Sequence, residues 1–166
     1  AVSKDRVVVP VADPGSARGD YQPTPGVYVL DLDTGKVIWS HKAERGCTPE
    51  NGEQQRARRR SGGNRWPACP RRYAFSAAAS STPDLALASA LNGRTMAFDL
   101  SDGTVLWEYD TVQQFDTVNG VEAHGGAIDS AGAQVVDDML FIQSGYGMFG
   151  QMPGSVLLAY RLQNPK

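Results

Sequence analysis

The side chains best suited to metal chemistry in this chain are two cysteines and two histidines. Neither His41 nor His124 stands at a ligand spacing from Cys47 or Cys69, and the sequence has no paired Cys-x-x-Cys units. Zinc patterns need such close pairs because four ligands must converge on one ion. The sequence therefore predicts no zinc site.

Three carboxylates have the chemistry of a general base or a cation ligand. They are Asp110, Glu122 and Asp129. Acidic residues of loops more often accept turn hydrogen bonds or face solvent. The sequence therefore assigns no catalytic residue and no metal ligand.

A repeated phrase identifies the elements that must position these side chains. Val29 to Trp39 reads VLDLDTGKVIW and Ala97 to Trp107 reads AFDLSDGTVLW, so each copy joins two apolar strands through an Asp-x-x-x-Gly turn. A third copy, Val156 to Leu162, keeps only the strand. Repetition of a strand–turn–strand unit is typical of modular β architectures.

The repeated positions have structural interpretations. We expect the carboxylates to accept turn hydrogen bonds, the glycines to adopt positive φ, and the tryptophans to pack between neighbouring units. These residues are Asp31, Gly35 and Trp39 in the first copy and Asp99, Gly103 and Trp107 in the second.

Strand patterns separated by turn residues follow one another along the whole chain and predict an all-β protein. Repeating four-stranded units are typical of propeller blades, which bury their faces against neighbours on both sides. We expect a single incomplete β-propeller segment over residues 1–166, with about two and a half to three four-stranded antiparallel blades. The blade strands are expected at 6–42, 74–110 and 127–162, with an insertion loop at 43–72.

Two of these strand groups are expected to be incomplete. The first group lacks a leading strand and the third lacks a final one, whereas the second forms a complete meander that begins with a strand over Ala74 to Ser81. The third begins with a strand over Ala127 to Val136. Because soluble proteins avoid unpaired sheet edges, we expect a piece of a larger propeller.

Charge and hydropathy exclude several partners. The net charge is −2, and the only dense basic run, Arg56 to Arg60, has no interleaved aromatic residues, so we expect no nucleic-acid partner. No apolar run approaches the roughly 20 residues of a membrane helix. No signal peptide opens the chain, but a processed, exported protein remains compatible with the sequence.

The repeats resemble those of quinoprotein dehydrogenases, the eight-bladed propellers that bind pyrroloquinoline quinone (PQQ). Two further segments, Phe115 to Asp129 and Ile142 to Leu162, are similar to the C-terminal end of the polyvinyl-alcohol dehydrogenase branch. The resemblance covers nearly the whole chain from Arg6 onward. It implies that these residues are the last blades of a longer enzyme.

The resemblance also implies a function, namely oxidation of secondary or polymeric alcohols by hydride transfer to PQQ beside a calcium ion. The ion's ligands and the general base would come from upstream blades or a complementary chain, so this chain alone is expected to be inactive. Haem c, as in a cytochrome c, would be an external or upstream electron acceptor. A periplasmic or secreted location follows from the same resemblance.

Cofactor contacts implied by the resemblance fall in several loops. Phe75 stands where relatives place an aromatic plane that stacks on PQQ, followed by Ser76 in place of a glycine; Phe75 is equally well explained as core filling. The other loop positions are Asn119, Gly125, Gly126, Tyr146 and Phe149. Ordinary turns need the same glycines.

Two more positions take their interpretation from the resemblance. The polyvinyl-alcohol branch has a cysteine pair at the place of Cys47 and Cys69, which implies a disulfide that encloses 21 residues, with free thiols as the alternative. His124 stands where relatives tend to have a basic residue that touches substrate or a PQQ carboxylate, although a surface histidine is the simpler interpretation.

The sequence is also compatible with a second function of a different class. The same repeat occurs in non-catalytic propeller segments that act as protein-binding scaffolds, because a fold does not fix a function. The match over Asn119 to Gly154 favours the dehydrogenase, since a scaffold has no need to keep those loops.

Overall fold

The computed structural model describes residues 1–13, 20–44, 66–67 and 72–162. Within these ranges every regular element is a β-strand, apart from one short 3₁₀ turn at Met148–Gly150. None of the helical residues described forms a segment long and apolar enough to cross a membrane. The expected all-β class is confirmed.

The first sheet contains four antiparallel strands in chain order. They are β1 (Val2–Ser3), β2 (Arg6–Val11), β3 (Gly26–Asp31) and β4 (Val37–Lys42). The expectation that this group lacks a leading strand is wrong, because Val2 and Ser3 pair with Val7 and Arg6. A strand of two residues is too short to show a period of two in the sequence.

The second sheet is the complete meander that the sequence predicts. Its strands are β5 (Ser80–Ser81), β6 (Leu85–Ser89), β7 (Arg94–Asp99) and β8 (Val105–Asp110). The expected strand over Ala74 to Ser81 is wrong except for its last two residues. The backbone of Ala74 and Ala78 bonds instead to Leu91 and Ser130, so these residues tie the sheet to neighbouring segments.

A short hairpin, absent from the sequence prediction, separates the second and third sheets. It pairs β9 (Gln114–Phe115) with β10 (Ala123–His124). The third sheet follows with β11 (Gln134–Val136), β12 (Met139–Ser144) and β13 (Val156–Arg161), the three strands that were expected within the described residues. The first of them is shorter than predicted, because the Ala127 and Ile128 amides bond to Met152 and Ala90.

Successive sheets pack face to face through two hydrophobic clusters. One cluster joins the first and second sheets and contains Val29, Trp39 and Phe98; the other joins the second and third and contains Leu87 and Ile142. The first strands of successive sheets also lie next to each other. β1 lies beside β5. The Ser80 hydroxyl of β5 donates to the carbonyl oxygen of Ala133, just before β11, at 2.6 Å. This is the arrangement of propeller blades. The number of blades stays a prediction.

Both repeated tryptophans lie between sheets, as expected. The Trp39 ring is buried 5.5 Å from the Phe98 ring, and its Nε1–H donates to the Leu100 carbonyl oxygen at 3.0 Å. The Trp107 ring is half-buried and meets Tyr160 of the third sheet at 5.8 Å. The repeat therefore supplies the contacts that hold one sheet on the next.

Because the strands are antiparallel, successive connections alternate between two ends of the sheets. The turn end comprises residues 4–5, 32–36, 82–84, 100–104 and 137–138. Among the described residues, the loop end comprises 12–13, 20–25, 43–44, 66–67, 72–79, 90–93, 111–133 and 145–155. Most of the insertion predicted at 43–72 lies outside the described residues, so it stays a prediction.

Candidate functional site

All seven positions expected to contact a cofactor lie in connections of the loop end. They are Phe75, Ser76, Asn119, Gly125, Gly126, Tyr146 and Phe149. The structure places them in several distinct environments. Their role as cofactor contacts stays a prediction.

Gly125 and Gly126 lie in a buried crossing of backbone segments. Ser144 Oγ accepts the Gly126 N–H at 2.9 Å and lies 2.7 Å from Thr111 Oγ1. A Cβ added to Gly125 would collide with the Thr111 carbonyl, and one added to Gly126 with the carbonyls of the Met152 to Pro153 segment. Close backbone packing is therefore sufficient to explain why both residues lack side chains.

Trp66, from the long connection between the first and second sheets, covers this crossing. Its Nε1–H donates to the Gly125 carbonyl oxygen at 2.6 Å, and its ring lies 4.3 Å from the His124 imidazole. His124 is half-buried beside this ring and is not fully exposed to solvent. Nothing local in the sequence indicated this contact, because the two residues are 58 positions apart.

A polar cluster joins two other loop-end segments. Gln151 Nε2 donates to Asp129 Oδ2 at 2.7 Å, and the Ser130 backbone N–H donates to Asp129 Oδ1 at 2.8 Å. Gln151 is only 8% exposed, and its carbonyl oxygen Oε1 is buried without a donor among the described residues. A buried acceptor left unpaired costs about 1–3 kcal/mol. The cluster is therefore incomplete as it stands.

The Asp129 carboxylate stays ionised in this environment. Burial pushes its pKa upward, but hydrogen bonds from Gln151, Ser130 and Ser76 together with the Arg72 charge outweigh burial, so the pKa lies below its ordinary value. Ser76 and Asp129, both singled out from the sequence, thus meet in one site. Gln151 was missed, since a lone glutamine carries no motif.

Phe75 belongs to the core between the first and second sheets. Its side chain is 3% exposed and its ring meets His41 edge-on at 6.3 Å. Beside it lies a cavity of about 220 Å³, lined also by Tyr73, Met96 and Arg94. This volume is below the roughly 300–1,000 Å³ of ordinary ligand pockets. The packing agrees with the core-filling interpretation of Phe75.

The bases of two exposed loops at the loop end lie next to each other. The Ser155 N–H donates to the His124 carbonyl oxygen at 2.9 Å, so the base of the β9–β10 hairpin adjoins the connection that holds Tyr146 and Phe149. Asn119 lies at the hairpin tip, where its Oδ1 accepts hydrogen bonds from Thr117 and Val121. Phe149 is 74% exposed and has a φ of 54°, which is unusual for a bulky residue.

The remaining acidic candidates have the ordinary roles that were expected. Asp110 Oδ1 accepts the Val112 N–H at 2.9 Å, which is a turn contact, and Glu122 is exposed. Cys47 and Cys69 lie outside the described residues, so their disulfide stays a prediction.

The described residues do not by themselves form a calcium or PQQ site. No group of three or more histidine, cysteine, aspartate or glutamate side chains converges within them. The cavity beside Phe75 is small, and Gly125 and Gly126 are closed off by backbone. We therefore derive no chemical step through either group from this chain.

The chain matches proteins of known activity along most of its length. It is 31% identical over 169 residues to a polyvinylalcohol dehydrogenase of Pseudomonas sp., an alignment that covers 96% of this chain. A polyvinylalcohol dehydrogenase of Sphingopyxis sp. (strain 113P3) is 31% identical over 147 residues, or 88% of this chain. The chain is related to the polyvinylalcohol dehydrogenases. The expected resemblance is thereby confirmed.

The relationship concerns a small part of those enzymes. The alignments span 24% and 20% of the lengths of the two polyvinylalcohol dehydrogenases. No protein-family model matches the chain. A solved europium-containing methanol dehydrogenase superposes with a TM-score of 0.55 over 96% of this chain and 22% of its own, at 20% identity, which shows a shared fold only.

Proposed function

We propose that this chain forms the C-terminal blades of a PQQ-dependent alcohol dehydrogenase that oxidises secondary or polymeric alcohols. The observation that carries the proposal is the 31% identity to a polyvinylalcohol dehydrogenase over 96% of the chain. In such an enzyme the bound PQQ and calcium would supply the hydride acceptor and its electrostatic activation. Upstream blades or a complementary chain would supply the calcium ligands and the general base.

The contribution of this chain would be made at its loop end. Gly125 and Gly126 pack closely against Ser144, and the two exposed loops lie next to this packed region. Rigid scaffolds that carry exposed loops are the usual way in which proteins position binding groups. The turn end, by contrast, includes the Trp39–Leu100 hydrogen bond that joins the first two sheets.

Location and electron transfer belong to the same proposal. A periplasmic or secreted enzyme is compatible with a Cys47–Cys69 disulfide, since such bonds persist in oxidising compartments. Electrons would leave the reduced cofactor through haem c of an external or upstream cytochrome. Neither point depends on the geometry of the described residues.

The test is alcohol-dependent reduction of an artificial dye by the purified protein that contains this chain, reconstituted with PQQ and calcium. We expect turnover with propan-2-ol and with polyvinyl alcohol, and none when PQQ is withheld. Absence of turnover in a reconstituted, folded sample would contradict the proposal. In that case a scaffold that binds protein partners becomes the better explanation.

A further inference from the structure

We propose that the Gln151 side-chain carbonyl oxygen accepts a hydrogen bond from the hydroxyl group of an alcohol ligand, and that Asp129 is the positioning residue that aligns Gln151 for it. The inference rests on the proposed function for the identity of the ligand. Its physical basis is the arrangement of the polar cluster at the loop end.

The orientation of the Gln151 amide is fixed by Asp129. An ionised carboxylate only accepts hydrogen bonds, so the amide group that lies 2.7 Å from Asp129 Oδ2 must be the nitrogen. The low pKa of Asp129 keeps this condition satisfied at neutral pH. Gln151 Oε1 therefore faces away from Asp129 and is held there as an acceptor.

That oxygen lacks the partner that its burial requires. Gln151 is more than nine-tenths buried, and Oε1 meets no donor within the described part of the chain. Turning the amide over would bring Oε1 against the Asp129 carboxylate, so the cluster cannot complete itself by a flip. Only a group that supplies an O–H or N–H satisfies the oxygen.

The residues just before Gln151 add an apolar surface and a strained turn. Phe149 and Gly150 have φ values of 54° and 75°, and this left-handed turn directs the chain so that Gln151 faces inward. Met148 and Phe149 stay 56% and 74% exposed. Strain at an exposed loop that carries a buried polar group is typical of ligand-binding segments.

The ligand that fits both features has a hydroxyl donor on an apolar carbon chain. Its hydroxyl would bond Gln151 Oε1 while its carbon chain lies against Phe149 and Met148. Because Oε1 is shut off from solvent, the ligand can reach it only when neighbouring atoms move. Secondary alcohols, including 1,3-diols such as those in polyvinyl alcohol, have this chemistry.

The test compares Gln151→Met with Gln143→Met in the reconstituted protein that contains this chain. Gln143 is exposed on β12 and has no place in the cluster, so it is the matched control. With pentane-2,4-diol as the probe, we expect Gln151→Met to raise KM roughly three- to tenfold with little change in kcat. The control should leave both values unchanged.

A second variant separates positioning from stability. In Asp129→Asn the new amide nitrogen can donate to Gln151 Oε1 once the Gln151 amide turns over, which takes the oxygen away from the ligand and leaves Gln151 Nε2 without its acceptor. We expect the KM for the diol to rise as in Gln151→Met, while the thermal midpoint changes little because one unpaired buried group replaces another. A loss of stability with unchanged KM would overturn the proposal and return the cluster to a structural role.

Equilibrium binding distinguishes failure of this inference from failure of the proposed function. Calorimetric titration with pentane-2,4-diol needs no turnover. Diol binding that weakens in Gln151→Met, in a protein that takes up no PQQ, would support the hydroxyl site and refute the dehydrogenase. Turnover with identical diol affinity in wild type and Gln151→Met, or stronger binding of pentan-2-amine than of the diol, would refute the hydroxyl site.

Discussion

The turn end and the loop end of the sheets differ in whether their contacts are repeated. At the turn end, the repeats place the same backbone contacts in both copies: the Gly35 and Gly103 N–H groups donate to the Asp31 and Asp99 carbonyl oxygens, each at 2.9 Å. At the loop end each connection is different, and it includes Gln151, whose buried amide oxygen has no donor among the described residues. Repetition therefore serves architecture, and departure from it marks the candidate site.

The largest expected effect concerns the tryptophan that docks on the next sheet's turn. Trp39→Ala removes a buried ring and its hydrogen bond to Leu100, so we expect the free energy of unfolding to fall by about 4 kcal/mol. Trp107→Ala should cost about half as much because that ring is half-buried. Urea unfolding followed by circular dichroism measures both. Equal losses would contradict the docking account.

The second effect separates backbone strain from steric conflict in the two turns. Gly35 and Gly103 both have positive φ, but only at Gly103 would an added Cβ meet the Trp39 ring, at 2.6 Å. Gly103→Ala should therefore lower the free energy of unfolding by roughly 3 kcal/mol and Gly35→Ala by about 1 kcal/mol. Similar values for the two variants would mean that the Trp39 contact does not restrict the turn.

A third variant tests whether the loop end stores strain. Phe149→Gly relieves the left-handed backbone and removes a mostly exposed side chain, so we expect stability to rise by up to about 1 kcal/mol. Met148→Gly, at an adjacent position without positive φ, should lower stability instead. Thermal unfolding of the two variants gives the comparison. A loss in both would remove the argument from strain.

The smallest effect is the pH dependence of the turn end. The side-chain hydrogen bonds from Thr34 and Ser101 lower the pKa of Asp31 and Asp99 from the ordinary value of 3.8. Their contribution to stability is then complete above that value and is lost as pH falls through the lower folded-state pKa. The double variant Asp31→Asn with Asp99→Asn should flatten the fall of the unfolding midpoint below about pH 4. An unchanged acid profile would contradict this assignment.

The same contrast explains how much the sequence reveals. The Asp-x-x-x-Gly turns and the positions of Trp39 and Trp107 between sheets were predictable because the sequence states them twice. The leading strand at Val2–Ser3 was not, since two residues show no periodicity. The Gln151–Asp129 bond joins residues 22 apart in non-repeating loops, so only the folded backbone brings it to light.

For Phe75 the resemblance implied an aromatic plane that stacks on the cofactor, with core filling as the alternative interpretation. In the structure the ring lies between two sheets beside His41 and is 3% exposed. The sequence gives the position of Phe75 relative to the predicted strand. The direction of its side chain depends on the backbone conformation of the residues before β5.

The most direct test of the central claim is the PQQ content of the native particle that contains this chain, measured by acid release and fluorescence. The account predicts about one PQQ for each copy of the chain, which would establish a completed quinoprotein to which these sheets contribute. No PQQ, even after incubation with PQQ and calcium, would contradict the claim and leave the chain as a propeller segment without the proposed chemistry.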